Sequence, residues 1–405
     1  MLFILILQFI AFIMISLANE NVTICSSYGI NDLTSYRYNF PLTSSDENSD
    51  LQLYMPIYSS FNLNESSSSI KYAIINIHGL LRNADEVLCL GLLLIQGRND
   101  TIIIAPYFSM DQIESIEWGY NIQDVTSDYL SAYWNTSSWL SGGDNCFDSR
   151  GSYDAIDNLI SYVDNNLNFP SLEIITIAGF SAGAQTVNRY AWASDIDKNI
   201  TSKIRYILSD ASSYLYLDGH RPVSKCIPKL DQEENITCED FEFPSNDTIK
   251  NCSEYDEWKY GISKFPDSSY SYLTKLLSDS IPLSDRNDLF LKKNITYVLG
   301  KQDACNCQTS GYINPDYCYI PNVTCTNNSG TTNCCDTYPD SLSNDLSTTC
   351  ESNMQGFNRF QRGLVYMSYL EWYSGIKQKY LTMDLMHNCT VFFLSDELKQ
   401  TAFDL

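Results

Sequence analysis

The sequence predicts an α/β protein, a mostly parallel sheet flanked by helices. Apolar runs of strand length recur along the chain: KYAIINIHG (71–79), TIIIAPYF (101–108), LEIITIAGF (172–180), IRYIL (204–208) and NITYVLG (294–300). Such runs are apolar on both faces, as strands buried within a parallel sheet must be. Between and after them lie stretches with helical spacing. YDAIDNLISYVDNNL (153–167) places Ala155, Ile156, Leu159, Ile160 and Val163 on one face, and FQRGLVYMSYLEWYSGI (360–376) and SDELKQTAF (395–403) follow near the C-terminus. Strands alternating with helices point to a sheet covered on both sides.

In chain order, the first element is MLFILILQFIAFIMISLANE, an apolar run with no charge before Glu20. Ser16 and Ala18 suit cleavage after Ala18, so residues 1–18 are expected to be a signal peptide. An uncleaved anchor is the alternative, because the run approaches membrane-spanning length. Export has two further supports: 14 cysteines, all beyond the leader, and 12 N-x-S/T sequons from Asn21 to Asn388. An even cysteine count fits disulfides, and the sequons fit a glycosylated surface. The expectation is a secreted, extracellular protein, or one in the lumen of the secretory or lysosomal pathway. Lys+Arg total 25 against Asp+Glu 49, a net charge of −24 spread along the chain. That balance argues against nucleic acid or an anionic membrane as partner. No stable membrane association is expected after signal cleavage.

Residues 19–405 read as one domain with two insertions. Residues 211–290 are polar, rich in tyrosine and too long for an ordinary loop. They are expected to form a cap, in which Tyr214, Tyr216, Trp258 and Tyr260 either shape a substrate pocket or pack as core. Residues 304–356 hold seven cysteines, including Cys305 and Cys307 and the pair Cys334-Cys335. This stretch has no histidine and no C-x₂-C spacing, so disulfides are expected rather than zinc. Seven is odd, so full oxidation requires at least one bond to a cysteine outside the cluster.

The chemistry centres on IAGFSAGAQ (177–185), which contains G-x-S-x-G around Ser181. Short and common, the pentapeptide gains meaning from its setting. An apolar strand runs into it and the helix-compatible AGAQTVNRYAWAS follows. A sharp strand-to-helix turn strains the serine backbone, and small neighbours such as Gly179 and Gly183 make room for it. The hydroxyl then stands at the sheet edge beside a helix N-terminus, where developing negative charge is favoured. Such a serine needs a base, and the base needs an acid, in the chain order Ser, Asp or Glu, His. The acid is expected after a late strand, and NITYVLGKQD supplies Asp303 there. Of the three histidines, His78, His220 and His387, only His387 lies beyond it. Asp210, after the preceding strand, is the alternative acid. Asp384 lies too near His387 in sequence to reach its far nitrogen. An oxyanion hole is expected from the backbone N–H of Ala182 and that of Leu80, with Gly79 turning the loop. His78 is expected to brace this loop. His220 has no visible partner in the sequence.

The ordered pieces IINIHGLLRNADE, IIAPYF, FPSLEIITIAGFSAGAQTVNRYA, SDASSYLYLDGHRP, EYDEWKYG, YVLGKQDA, NMQGFNRFQRG and MHNCTVFFLSDELKQTAF span residues 71 to 405. Together they resemble a group of extracellular microbial serine hydrolases of the α/β-hydrolase fold, esterase-like in type. The resemblance implies Ser181 as nucleophile, Asp303 as acid and His387 as base. It does not name a substrate. The chain departs from the group at Phe180, where the group has histidine, at Ala184, where it has glycine, and at Asn388, where it often has aspartate. The group has asparagine at the position of Asp210, which therefore reads as a neighbour of the acid. Asn388 also heads a sequon, and a glycan there would obstruct the base, so it is expected to be unmodified.

The sequence thus points to a secreted serine hydrolase acting on carboxylic esters, small or polymeric, with no cofactor and no metal. A neutral base implies that activity falls in acid. Two readings stay open beside it. One is a serine peptidase or amidase on the same residues. The other is a catalytically silent binding protein on this fold. Oligomeric state is not readable.

Overall fold

The computed structural model describes residues 30, 33–43, 52–111, 130–223, 240–266, 270–278, 281–301, 303, 346–347, 349–356, 358–385 and 387–403, and the backbone of 324–327 and 330–333. The expected signal peptide and most of the 304–356 cysteine cluster lie outside the described residues.

Thirteen strands occur among these residues: β1 (Arg37–Leu42), β2 (Leu53–Ser59), β3 (Tyr72–Ile77), β4 (Thr101–Pro106), β5 (Leu130–Ser131), β6 (Ile174–Phe180), β7 (Lys203–Ser209), β8 (Arg221–Pro222), β9 (Phe241–Glu242), β10 (Ile295–Gly300), β11 (Thr324–Asn327), β12 (Gly330–Asn333) and β13 (Lys379–Met383). The α-helices are α1 (Ala84–Leu94), α2 (Ser152–Val163), α3 (Ala182–Ala193), α4 (Asn246–Asn251), α5 (Ser271–Ser278), α6 (Leu283–Leu291), α7 (Cys350–Asn353), α8 (Arg359–Ser374), α9 (Cys389–Phe393) and α10 (Asp396–Phe403).

One sheet organises the molecule, in the order β1-β2-β4-β3-β6-β7-β10-β13, with β5 added beside β2. From β4 to β13 every pairing is parallel, while β2 runs antiparallel to both β1 and β4. The five apolar runs read from the sequence became β3, β4, β6, β7 and β10. Their side chains alternate between two cores. Ile75, Ile77, Ile102, Ile104, Ile175 and Ile177 face a core shared with α2, α3 and α8. Ile74, Ile103, Ala105, Ala178, Ile207 and Val298 face the other, with α1, α9 and α10. Two covered faces explain why these strands are continuously apolar.

The sheet winds both ways from β3. The chain moves to one side for β4 and to the other for β6, β7, β10 and β13, while β8–β9 and β11–β12 pair apart from this sheet. Such a reversal leaves a crevice beyond the carboxyl ends of the strands, the usual ligand position in an open α/β sheet. Ile77 pairs with Gly179, so the loop at His78-Gly79 and the turn at Ser181 emerge side by side at that crevice.

The stretch expected as a cap begins inside the core. Ala211, Tyr214, Leu215, Tyr216 and Leu217 are buried, as are Trp258 and Tyr260. Tyr214, Tyr216 and Trp258 belong to the main apolar cluster, and the Trp258 indole donates to the Ser141 carbonyl (2.9 Å). Helix α5 is tied down by Ser271, whose N–H and hydroxyl both reach the Asp144 carboxylate (2.8 Å each). Cys252 is disulfide-bonded to Cys350, so one member of the 304–356 cluster does pair outside it. Cys89 is disulfide-bonded too. Full oxidation does not hold, because Cys146 and Cys389 are free thiols. The one candidate metal cluster among the described residues is Cys252, Cys350 and Glu351. Its two sulfurs are consumed by the disulfide, which leaves no ligand set. No helix among the described residues is long and apolar enough to cross a membrane.

Candidate active site

Strand β6 ends at Phe180 and helix α3 begins at Ala182, so Ser181 alone makes the turn. Its backbone sits at φ 56°, ψ −116°, a region that residues with a Cβ rarely adopt. The turn is possible because the chain is bare on both sides of it. A Cβ on Gly179 would lie 2.4 Å from the Gly183 carbonyl carbon, and one on Gly183 would lie 2.3 Å from the Ile77 carbonyl oxygen. The same packing presses the start of α3 against the end of β3.

The Ser181 hydroxyl lies 3.0 Å from His387 Nε2. On the far side of the ring, Nδ1 lies 2.6 Å from Asp303 Oδ2. Residues 206 and 84 positions apart in sequence are therefore joined in one hydrogen-bonded chain. Asp303 is held by a turn after β10, its N–H donating to the Gly300 carbonyl (3.0 Å), and its own carbonyl accepts from Phe360 N–H (3.1 Å). Burial alone would raise the Asp303 carboxyl, but His387 and the Arg359 guanidinium together hold it below the usual range. The imidazole rests on Phe180, ring centroids 4.7 Å apart, with Phe392 beyond. The departure at Phe180 thus supplies an apolar support for the base. Just past it, Asn388 caps α9, its side-chain oxygen accepting from Thr390 and Val391 N–H.

Asp210 is buried next to this chain of groups but bonds elsewhere, accepting from Gly300 N–H (2.7 Å) and Ser209 Oγ (3.0 Å). Asp384 is largely exposed, with Lys301 4.0 Å away. Of the acids weighed from the sequence, Asp303 is the one that meets His387.

The loop after β3 brings Gly79 and Leu80 beside the turn, and a Cβ on Gly79 would lie 4.0 Å from the Phe180 carbonyl. Ala182 is the first residue of α3, where N–H groups have no acceptor within the helix. His78 is fully buried among Tyr107, Phe108 and Trp139. Its Nε2 accepts the Phe108 N–H (3.0 Å), which fixes the proton on Nδ1, and Nδ1 then donates to the Gly79 carbonyl (2.9 Å). The ring is a neutral brace for this loop. His220, which lacked a partner in the sequence, has one in Asp218 two residues before it (2.8 Å), and its ring packs at a tilt against Phe243, centroids 4.0 Å apart. Sequence reasoning missed Arg359, 3.5 Å from Asp303; nothing in FNRFQRG marks it as an ion partner.

No protein-family model and no curated protein matches the sequence. Solved structures do. The chain is similar to the poly(3-hydroxybutyrate) depolymerase LpqC from Bordetella parapertussis at a TM-score of 0.50 and 12% identity, over 91% of this chain and 90% of that one. It also matches poly(aspartic acid) hydrolase-1 from Sphingomonas sp. KT-1, at 0.46 and 16%, over 90% and 97%. An esterase from Pyrobaculum calidifontis matches at 0.39 and 10%, over 95% and 88%. The sheet order and the first of these likenesses define the class: the chain has the α/β-hydrolase fold. At such identities the likeness is one of fold.

Proposed function

We propose that the protein is a secreted serine hydrolase that cleaves carboxylic esters through an acyl-enzyme on Ser181. The observation that carries this reading is the chain Ser181–His387–Asp303, with links of 3.0 and 2.6 Å, standing on a strained turn at the sheet's switch point. In this mechanism Ser181 Oγ attacks the acyl carbonyl and His387 Nε2 takes its proton. Asp303 holds the Nδ1 proton, which keeps Nε2 free to accept and stabilises the imidazolium. The carbonyl oxygen, negative in the tetrahedral intermediate, lies toward the Ala182 and Leu80 N–H groups. His387 then protonates the departing alcohol. Water repeats the sequence on the acyl-enzyme and frees Ser181.

Ester chemistry is supported by apolar groups exposed near the site in sequence, on the loop after β3 and on α9. Leu80 and Leu81 follow the His78-Gly79 brace at 39% and 68% exposure, and Val391 lies one helical turn past His387 at 47%. In this reading they would meet the acyl chain or alcohol of the substrate. An ester polymer of the kind named for the Bordetella structure belongs among the substrates to test. Export rests on the apolar leader, the sequons and the Cys252–Cys350 bond.

The test is hydrolysis of p-nitrophenyl esters of increasing acyl length, with the matching anilides, by wild type and Ser181→Ala. The reading predicts ester turnover that falls at least about 10³-fold in the variant. Anilides cleaved in preference to esters would replace it with the peptidase reading.

A further inference from the structure

Two carboxyls are buried around the turn that follows β10, and Arg359 lies in ion-pair range of one of them, Asp303. Asp303 and Asp210 are 5% and 1% exposed, and Arg359 is 1% exposed. Asp210 reaches Gly300 from the end of β7 and takes its N–H, while Asp303 sits in the turn that closes on the Gly300 carbonyl. Arg359 stands at the start of α8. Its Nη1 is 3.5 Å from Asp303 Oδ1 and its Nε donates to Ser212 Oγ (3.1 Å), so the loop after β7 aims it. The next cation, Arg362, spends its donors on the carbonyls of Gly356, Ser212 and Ser347 and on Asn353 Oδ1. Arg359 is thus the cation that pairs with Asp303 among the described residues, while Asp210 is held by the Gly300 N–H and the Ser209 hydroxyl.

Two like charges in a dry site beside one cation are costly, and the cost is lowered if one carboxyl keeps a proton. Which one decides the state of His387. An ionised Asp303 accepts from Nδ1–H and leaves Nε2 bare toward Ser181. A protonated Asp303 would donate its O–H to Nδ1, put the ring proton on Nε2, and leave no acceptor for the serine proton.

We propose that Arg359 is a positioning residue that selects Asp303 as the ionised partner of His387 and leaves the proton on Asp210, outside the relay. The proposal rests on reading Ser181 as a hydrolase nucleophile. The directions of the carboxyl shifts agree with it: burial and Asp303 push Asp210 well up, while His387 first and Arg359 second outweigh burial at Asp303.

The experiment compares Arg359→Met, Arg359→Lys, Asp210→Asn, Asp303→Asn and the Asp210→Asn/Arg359→Met double variant in the full chain. It reads the rate of fluorophosphonate labelling at Ser181 and the melting temperature. Arg359→Met is expected to slow labelling about 10- to 100-fold, and Arg359→Lys to regain most of it. Asp210→Asn keeps the neutral form already present and should stay within about twofold of wild type. The double variant should label at least about tenfold faster than Arg359→Met, because the competing carboxyl is gone. A purely structural arginine predicts no such rescue. The proposal fails if Asp210→Asn is as slow as Asp303→Asn, if Arg359→Met labels at the wild-type rate, or if the folded double variant gains nothing. Wild type that does not label would remove the hydrolase reading instead. The selection is then read from melting temperatures alone: recovery by Asp210→Asn of what Arg359→Met lost supports it, and no recovery overturns it.

Discussion

Ser181 and Asp303 show the two costs that this site imposes on single residues. At Ser181 the cost is backbone strain, on the order of 1–3 kcal/mol for such angles, and close packing of the turn keeps it in place. Gly183→Ala tests that packing, since the new methyl would meet the Ile77 carbonyl at 2.3 Å, backbone against side chain. We expect a loss of about 2 kcal/mol or more by denaturant unfolding, with labelling of Ser181 lost alongside. At Asp303 the cost is burial of a charge, offset by His387 and Arg359. A carboxyl held below its unfolded value stabilises the fold above the ordinary carboxylate pKa. That contribution is lost as pH falls through the lowered folded value. Asp303→Asn should therefore flatten the acid limb of the stability curve while slowing ester turnover about 10³- to 10⁴-fold.

Elements are held to one another by buried polar knots as well as by the two apolar cores. Asp157 on α2 accepts from the hydroxyls of Tyr190 on α3 (2.5 Å), Ser194 just beyond it (3.1 Å) and Tyr272 on α5 (2.8 Å). Burial pushes this carboxyl up to about 6 despite those donors. The sign is opposite to that of Asp303. A raised carboxyl favours the fold while protonated, so its contribution is full below the unfolded value near 4 and declines as pH rises to about 6. Asp157→Asn should remove that decline, read as thermal unfolding at pH 4 and pH 7. Tyrosine-rich 211–290 is anchored in part by this knot, through Tyr272, and of the two roles open to Tyr214 and Tyr216 from the sequence the structure shows packing in the core. Tyr214 and Tyr216 bury their rings in the core, in a run Tyr214-Leu215-Tyr216-Leu217 set between Ser213 and Asp218. The strands near the sheet centre were legible because both their faces are apolar. β1 and β13 were not, since RYNFPL and KYLTM are short and polar in part and draw their order from the neighbours they pair with.

At the scale of the whole molecule, the winding of the sheet turns distant residues into a site. The order of Ser181, Asp303 and His387 along the chain, and a histidine count of three, made these residues legible before their distances were known. Arg359 was not legible, because an ion pair between residues 56 positions apart leaves no periodic trace. The free thiols Cys146 and Cys389 escaped a count that saw only an even number. The direct test of the account is mass-spectrometric labelling of the purified protein with a fluorophosphonate, beside Ser181→Ala. The account predicts one adduct, on Ser181, absent from the variant and slowed by Asp303→Asn. Folded, disulfide-bonded wild type that takes no adduct between pH 5 and 9 would contradict it and leave a binding protein on an α/β-hydrolase fold.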